Sequence, residues 1–306
     1  NIPGYVALVG EGRYADAVRL IRKDNPFPVA CALICEHPCE KHCRRGIVDD
    51  AVNIHGEYQR VTAVTGRCVR VERILRTAGY TERDLAFTPH HVGDRVEFSD
   101  GVTHDVLGEA AVAAIRPVSF GAELTLDRDV PRRVAAGALV ENLTWVPDVR
   151  IRGSYVHDAM HLRLSGRGRY VVEGNRFERG TGLLVSDLSS YWGEAGRTAD
   201  MTIRGNVFRD VCIFRGKAVI QIDPNVRDLL AQKAPYHRNI VIENNVFEQD
   251  RGPLLYARSA SNLVWRANTV VGAARGFDVR YGWFQIEAER PSDRPATTGQ
   301  GGGKGL

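Results

Sequence analysis

Five short segments carry the side chains best suited to chemistry: HLRLSG from His161, GLLVSD from Gly182, AVIQID from Ala218, PLLYAR from Pro253 and GFDVRY from Gly276. Aligned end to end, they set Gly166, Asp187, Asp223, Arg258 and Tyr281 at equivalent positions. Strands stack about 4.8 Å apart, so this alignment predicts Asp187 and Asp223 as close neighbours at one sheet edge, with Arg258 next. Alternation turns Gln221 and Tyr256 the same way as Asp223 and Arg258. Acid, acid, amide, phenol and guanidinium on one outer face make a sugar-binding surface. Two close carboxylates raise each other's pKa, which suits one of them to general-acid work. The competing reading is a row of solvated strand ends.

The two longest inserts follow this same strand. Residues 186–200 read SDLSSYWGEAGRTAD and residues 223–239 read DPNVRDLLAQKAPYHRN. They are expected to rise on one side and wall a pocket, because loops on a rigid scaffold are where binding and catalysis concentrate. Trp192 is the candidate platform for the apolar face of a sugar, and Glu194 adds a third carboxylate to Asp187 and Asp223. His237, Gln221, Tyr256 and Arg258 complete the candidate substrate contacts. The competing reading of Trp192 is a ring packed under its own loop.

The scaffold that must hold these residues is a repeated octet. VRIRGSYV from Val149 returns as YVVEGNRF from Tyr170, MTIRGNVF from Met201, IVIENNVF from Ile240 and LVWRANTV from Leu263. The sixth position runs Ser154, Asn175, Asn206, Asn245 and Asn268; the third is always apolar. Constant units with variable inserts mark a solenoid. Apolar residues at period two specify strands, and an Asn column bonds along the stacking axis in a ladder. Asn also tolerates the left-handed conformation at a turn. Two or three short strands per turn without helices predict a mainly β chain, a right-handed parallel β-helix of the pectin-lyase type over residues 92–286. VGDRVEFSDG and AELTLDRDVP are read as its first, irregular turns.

Four of the six cysteines, Cys31, Cys35, Cys39 and Cys43, fall in one short segment. Such clustering points to metal or iron–sulfur ligation rather than a disulfide framework; zinc and free thiols are the alternatives. A helix is expected over residues 7–23, so residues 1–60 read as a small α-helical, Cys-rich segment. Residues 61–91 are a junction, read as an amphipathic helix through Val69, Val71, Ile74 and Leu75. Residues 287–306, rich in Gly, Pro, Ser and Thr, read as a disordered tail. The net charge of +4 comes from interleaved bases and acids, so nucleic acid is not an expected partner. No apolar run reaches the roughly 20 residues of a membrane span. The start at Asn1, without a basic-then-apolar leader, reads as a piece cut from a longer chain.

Two resemblances attach to these stretches. The run NIPGYVALVGEGRYADAVRLIRKDNPFPVACALICEHPCEKHCRRG resembles the N-terminal iron–sulfur domain of the glutamate synthase small subunit and of dihydropyrimidine dehydrogenase. The following VNIHGEYQR continues it, with Gln59 near the place where the dehydrogenases use a Gln ligand. The resemblance implies cluster ligation by Cys35, Cys39 and Cys43, with Cys31 beside them. The family's upstream Cys-rich stretch is missing, so at most one 4Fe-4S cluster on these four is expected.

Residues from about 92 to 272 resemble the β-helix glycosidases that remove α-1,3-linked galactose, the family with blood-group B-cleaving members. GDRVEF, VENLTWVPDVRI, VVEGNRF, YWGEAG, AVIQIDP and PYHRNIVIENNVF carry the resemblance in order. It implies an inverting, two-carboxylate hydrolysis with no cofactor, a glycan substrate, Asp187 and Glu194 as acid/base candidates and Trp192 as platform. Two features depart from the family: YVHDAMHLRLSG replaces an Arg-rich strand, with Arg163 as its partial stand-in, and Asn225 replaces a carboxylate. A β-helix that binds a glycan or protein without turnover is therefore a second expectation, and an iron–sulfur electron-transfer module a third. The two resemblances do not normally share one chain, so a chimeric or truncated chain without a single coherent function is a fourth. A bound cluster implies the cytoplasm; glycosidase activity implies a secreted or periplasmic protein.

Overall fold

A computed structural model describes residues 5, 8–24, 51–74, 88–146, 148–211, 217–280, 282 and 284–287. The chain divides into two compact units, residues 1–47 and residues 48–306. In the first, a helix α1 spans Tyr14–Asp24 and buries Ala17. Arg13 and Arg19 each bond the Asp16 carboxylate in its first turns. Val18 is 44% exposed. Cys31, Cys35, Cys39 and Cys43 lie outside the described residues, as do Cys212, Tyr281 and residues 288–306.

The second unit holds a three-sided solenoid of parallel strands. Its first sheet stacks Val52–Ile54, Leu162–Leu164, Leu183–Val185, Ile220–Ile222, Leu255–Arg258 and Phe277–Arg280. The second stacks Val149–Arg152, Arg169–Glu173, Asp200–Arg204, His237–Glu243, Ala260–Arg266 and Phe284–Glu287. The third stacks Tyr155–His157, Arg176–Glu178, Val207–Arg209, Val246–Glu248 and Thr269–Val271. Each octet thus supplies two strands, bent between the second and third sheets. Val172, Ile203, Ile242 and Trp265 point into the core from the third position, and Phe177, Phe208 and Phe247 stack from the eighth at 4.9 and 5.0 Å.

The bend is solved differently from the expectation. The left-handed residue is at the fifth position, Gly153, Gly174, Gly205, Asn244 and Ala267, with φ between 49° and 62°. The sixth-position Asn is thereby free to bond both ways. Asn206 Nδ2 donates to Asn245 Oδ1 at 2.9 Å and to the Val172 carbonyl at 2.9 Å. Asn206 Oδ1 accepts from the Asn175 amide and side chain at 2.9 and 3.0 Å. Asn245 repeats the pattern on Asn268. The ladder satisfies buried backbone groups where the sheet breaks.

Between Val52–Ile54 and Val149–Arg152 the chain builds something the octets do not announce. Gly56–Thr65, Cys68–Arg73, Gly121–Leu126, Val106–Val118, Arg95–Ser99 and Leu139–Asn142 pair antiparallel in that order, and the last returns to the first. This is a closed six-stranded barrel, filled by Val61, Val69, Val71, Phe98, Leu124 and Val140. Two expectations are corrected. Residues 61–74 form a β-hairpin and Ile74, not a helix, because Val69 and Val71 alternate into the barrel core. Residues 95–142 belong to the barrel and not to the first solenoid turns. Gln59 is sealed from solvent on the same face of its strand as Val61. Cys68 is half-buried beside Thr125, Sγ to Oγ1 at 3.6 Å.

Candidate active site

The outer face of the first parallel sheet is a single file of side chains. Register aligns Asn53, Arg163, Leu184, Gln221, Tyr256 and Asp278 on successive strands. Their neighbours Leu164, Val185, Ile222 and Ala257 face the core, so alternation sends this row outward.

Glu194 is brought to one end of the row by the barrel. After Val185 the chain makes a tight loop in which the Trp192 and Gly193 amides donate to the Leu188 carbonyl. Glu194–Ala195 then pairs antiparallel with Gly56 and Glu57 of the first barrel strand. The Tyr58 amide donates to the Gly193 carbonyl at 2.7 Å, and Ser165 Oγ to the Ala195 carbonyl at 3.0 Å. Thus clamped, the 9%-exposed Glu194 carboxylate accepts from Asn53 Nδ2 at 2.9 Å. His55 Nε2 and Arg163 lie at 3.8 and 3.9 Å. Tyr191 and Trp192, edge to face at 5.0 Å, stand 50% and 42% exposed on the same loop.

Asp223 follows the strand that carries Gln221, three strands along the row from Asn53. Its carboxylate accepts from Arg258 Nε at 2.6 Å and Lys217 Nζ at 2.7 Å. The Tyr256 ring lies under Lys217 at 4.7 Å. Gln221, Tyr256, Asp223 and Arg258 therefore share one face, as the alternation of the sequence requires.

Asp187 does not join them. Val185 pairs with Ile222, so the residue opposite Asp223 is Ser186, whose Oγ donates to the Asp223 carbonyl at 2.7 Å. The end-to-end alignment is one residue out at this strand, and one step reverses the direction of a side chain. Asp187 is fully buried instead. Its Oδ1 accepts the Asn225 amide at 2.7 Å, which ties the bases of the two long loops together. Burial pushes its carboxyl up to about 6, against the downward pull of that amide.

His237 is likewise internal. Its Nδ1 accepts the Thr198 amide at 3.1 Å, and burial lowers the imidazole to about 3. It belongs to a sealed polar layer between barrel and solenoid. There Glu97 and Glu141, opposite each other on neighbouring barrel strands, are bridged by Arg167. Arg197 approaches Glu97 at 3.5 Å and covers the Tyr236 ring, whose hydroxyl meets that of Tyr58 at 2.8 Å. Burial raises the Glu141 carboxyl, with Arg167 opposing it. Sequence reasoning missed Asn53 and His55, whose segment VNIHGEYQR it assigned wholly to the iron–sulfur resemblance, and the layer of Glu97, Glu141, Arg167 and Arg197.

Among the described residues no group of three or more His, Cys, Asp or Glu is arranged to hold a metal ion. The fit of Cys31, Cys35, Cys39 and Cys43 to a cluster lies outside those residues.

Fold and site together define a parallel β-solenoid with an inserted antiparallel barrel and an acidic, aromatic outer face. Three curated proteins share this sequence over most of the chain. It is 33% identical over 244 residues to alpha-1,3-galactosidase B of Akkermansia muciniphila, covering 76% of this chain and 30% of that protein. It is 32% identical over 239 residues to alpha-1,3-galactosidase B of Bacteroides thetaiotaomicron, covering 74% and 37%. It is 33% identical over 241 residues to alpha-1,3-galactosidase A of Bacteroides fragilis, covering 74% and 38%. The chain spans about a third of the length of the curated relatives it matches. Residues 1–67 match the family model described as dihydropyrimidine dehydrogenase domain II, 4Fe-4S cluster. Among solved structures, the tailspike of Pseudomonas phage phi297 aligns over 75% of this chain and 46% of its own, at 12% identity and a TM-score of 0.20; no correspondence of parts is drawn from it.

Proposed function

We propose that residues 48–306 are the substrate-processing part of a glycoside hydrolase acting on terminal α-linked galactose or a related glycan. We take its solenoid as right-handed and pectin-lyase-like, and its mechanism as inverting. The observation that carries the reading is the placement of Glu194. A nearly buried carboxylate, fixed by Asn53 and flanked by His55 and Arg163, stands on the loop that exposes the Tyr191 and Trp192 rings. The galactosidase names of the relatives give the substrate class.

In this reading the sugar lies along the row from Arg163 toward Tyr256, with its apolar face on Trp192. Glu194 takes the proton of the attacking water as the new C–O bond forms at the anomeric carbon. Asp223 takes up a proton from solvent when the substrate parts it from Lys217 and Arg258, and delivers that proton to the departing glycosidic oxygen as the bond breaks. Asp187, sealed beneath the loops, positions them. His237 supports the loop base from within.

Hydrolysis of nitrophenyl α-galactoside, with the anomer of the first-formed galactose read by proton NMR, tests this. Glu194→Gln and Asp223→Asn are each expected to lose at least about a hundredfold in kcat, the usual worth of a positioned proton-transfer group. Wild-type rates in both variants, or α-galactose appearing first, would reject the assignment. A glycan-binding solenoid without turnover is the second reading, favoured by the hold of both Lys217 and Arg258 on Asp223. Glycan-array binding with no hydrolysis on long incubation selects it.

For the first unit, the family model at residues 1–67 supports a 4Fe-4S cluster on Cys31, Cys35, Cys39 and Cys43. When bound, such a cluster carries single electrons. About four irons per chain after anaerobic reconstitution support it; an iron-free, colourless protein rejects it. A cluster places the protein in the cytoplasm, whereas a working glycosidase places it outside. Neither reading calls for a nucleic-acid or membrane partner.

A further inference from the structure

A cavity of about 300 Å³ opens at the barrel rim. Three arginines from three separate elements line it: Arg60 on the first barrel strand, Arg133 in the loop after Gly121–Leu126, and Arg227 in the second long insert. None of the three has an ion-pair partner among the described residues. The acid in the lining, Asp100, spends its Oδ1 on the Val102 and Thr103 amides at 2.8 and 2.9 Å. Nearby Asp228 is likewise committed to the amides of Leu230 and Ala231. These bonds hold Asp100 ionised, so its one negative charge stands against three guanidiniums and the lining stays net positive; Arg133 also donates to the Val106 carbonyl at 3.4 Å.

The rest of the wall is kept small. Gly101 sits so close to the Gly137 carbonyl that a Cβ would lie 2.1 Å from it, and Ala135, Ala136 and Ala138 continue the surface. Space and a net positive charge therefore coincide. A guanidinium is a planar fork that bonds two oxygens of a sulfate or carboxylate at once. Three of them around one concavity focus a field that draws an anion. The volume is at the lower end for small-ligand pockets, larger than an isolated oxyanion requires. Ser189 and Ser190, which complete the lining, belong to the loop that carries Trp192 and Glu194.

We propose that this cavity is an oxyanion site that takes the sulfate ester or carboxylate of an acidic sugar on the glycan. The glycan identity rests on the glycosidase reading; the oxyanion site does not. Arg227 is the anchor most easily removed, because it is exposed and its backbone amide, bonded to the Val102 carbonyl at 3.0 Å, holds the loop without it.

The test is calorimetric titration of the whole chain with sodium sulfate at ionic strength fixed by sodium chloride. Galactose 6-sulfate, galacturonate and galactose follow as separate arms. Saturable sulfate binding is expected in the wild type and in Glu194→Gln, and about tenfold weaker binding or worse in Arg133→Gln/Arg227→Gln. Far-ultraviolet circular dichroism checks that the double variant folds. Tighter binding of the sulfated sugar than of galacturonate identifies the sulfate ester as ligand, and the reverse identifies the carboxylate. No sulfate binding in the wild type, or equal binding in the double variant, overturns the site. Equal binding of galactose and both acidic sugars overturns it too. Sulfate binding by a wild-type chain that shows no galactosidase activity removes the hydrolytic reading and leaves the oxyanion site standing.

Discussion

Asn53 and Glu194 are joined by a hydrogen bond of 2.9 Å across 141 residues of sequence. The bond links the first strand of the solenoid to a loop that leaves its third coil, and the barrel inserted between them pairs with that loop through Gly56 and Glu57. The barrel is thus the jig that places the carboxylate. A hydrogen bond to a charged group contributes about 1.5–3 kcal/mol. Asn53→Ala is therefore expected to lower kcat by roughly ten- to a hundredfold, with KM for nitrophenyl galactoside little changed. Asn53 is exposed, so its thermal midpoint should stay near the wild type's. A variant with unaltered kcat would show that Asn53 does not position Glu194.

The Asn ladder makes a prediction about stability alone. Asn206→Ala strips the partner from the Val172 carbonyl and from the Asn175 amide, both inside the coil. Each buried group left without a partner costs about 1–3 kcal/mol, so urea unfolding should report a loss of roughly 2–5 kcal/mol. Ser154 closes the ladder at its outer end, where only its backbone amide reaches Asn175. Ser154→Ala is expected to cost under about 1 kcal/mol. Equal costs at the two positions would mean that the column is ornamental.

Arg167 is the test of the layer between barrel and solenoid. It bridges Glu97 and Glu141, which are each 4% exposed. Arg167→Met leaves Glu141 without its ion-pair partner and Glu97 with Arg197 alone. Breaking a buried pair in this way costs about 3–5 kcal/mol. Combining it with Glu97→Gln and Glu141→Gln removes the stranded charges, and chemical denaturation of the triple variant should recover most of the loss. A single variant as stable as the wild type would show that the layer is solvated.

The solenoid was legible because its signal is local. Period two, an apolar third residue and a fixed Asn survive any insert length. The first-sheet row was misread at two steps, Asp187 against Asp223 and Arg258 against Tyr281 where the stack pairs it with Arg280, and the first has a visible reason. Val219 and Ile220, then Leu254 and Leu255, are consecutive apolar pairs with all four side chains buried. Alternation cannot choose between their two phases, and the hexapeptides were aligned by their ends. The register that pairs Leu183 with Ile220 and Ile220 with Leu255 is set by the stack. The barrel was illegible for the opposite reason. Its strands pair through contacts spread over residues 56–142, without a repeat. The three-residue strand Val52–Ile54, which begins the solenoid, stands about a hundred residues before its partner Leu162–Leu164. Asn53 and His55 went unrecognised with it.

The buried ionisable groups give a pH dependence with two opposing parts. Asp187 is raised from 3.8 to about 6 by burial. Between those values the folded chain holds a proton that the unfolded chain has released, so stability falls as pH rises through this window. Above pH 6 the cost is about 3 kcal/mol. His104 and His90 are lowered by burial to about 4, and His237 to about 3. Each binds a proton in the unfolded chain below 6.5 and not in the folded one, so each removes stability as pH falls from 6.5 toward 4. Three histidines against one carboxyl make the wild type less stable in acid. Asp187→Asn keeps an oxygen for the Asn225 amide and loses the charge. It is expected to exceed the wild type by up to about 3 kcal/mol at pH 7, with the advantage vanishing near pH 4. Urea midpoints taken at unit pH intervals read this difference directly. A gap that stays constant with pH would mean that Asp187 does not titrate in this window, and that the seal over it is open to water.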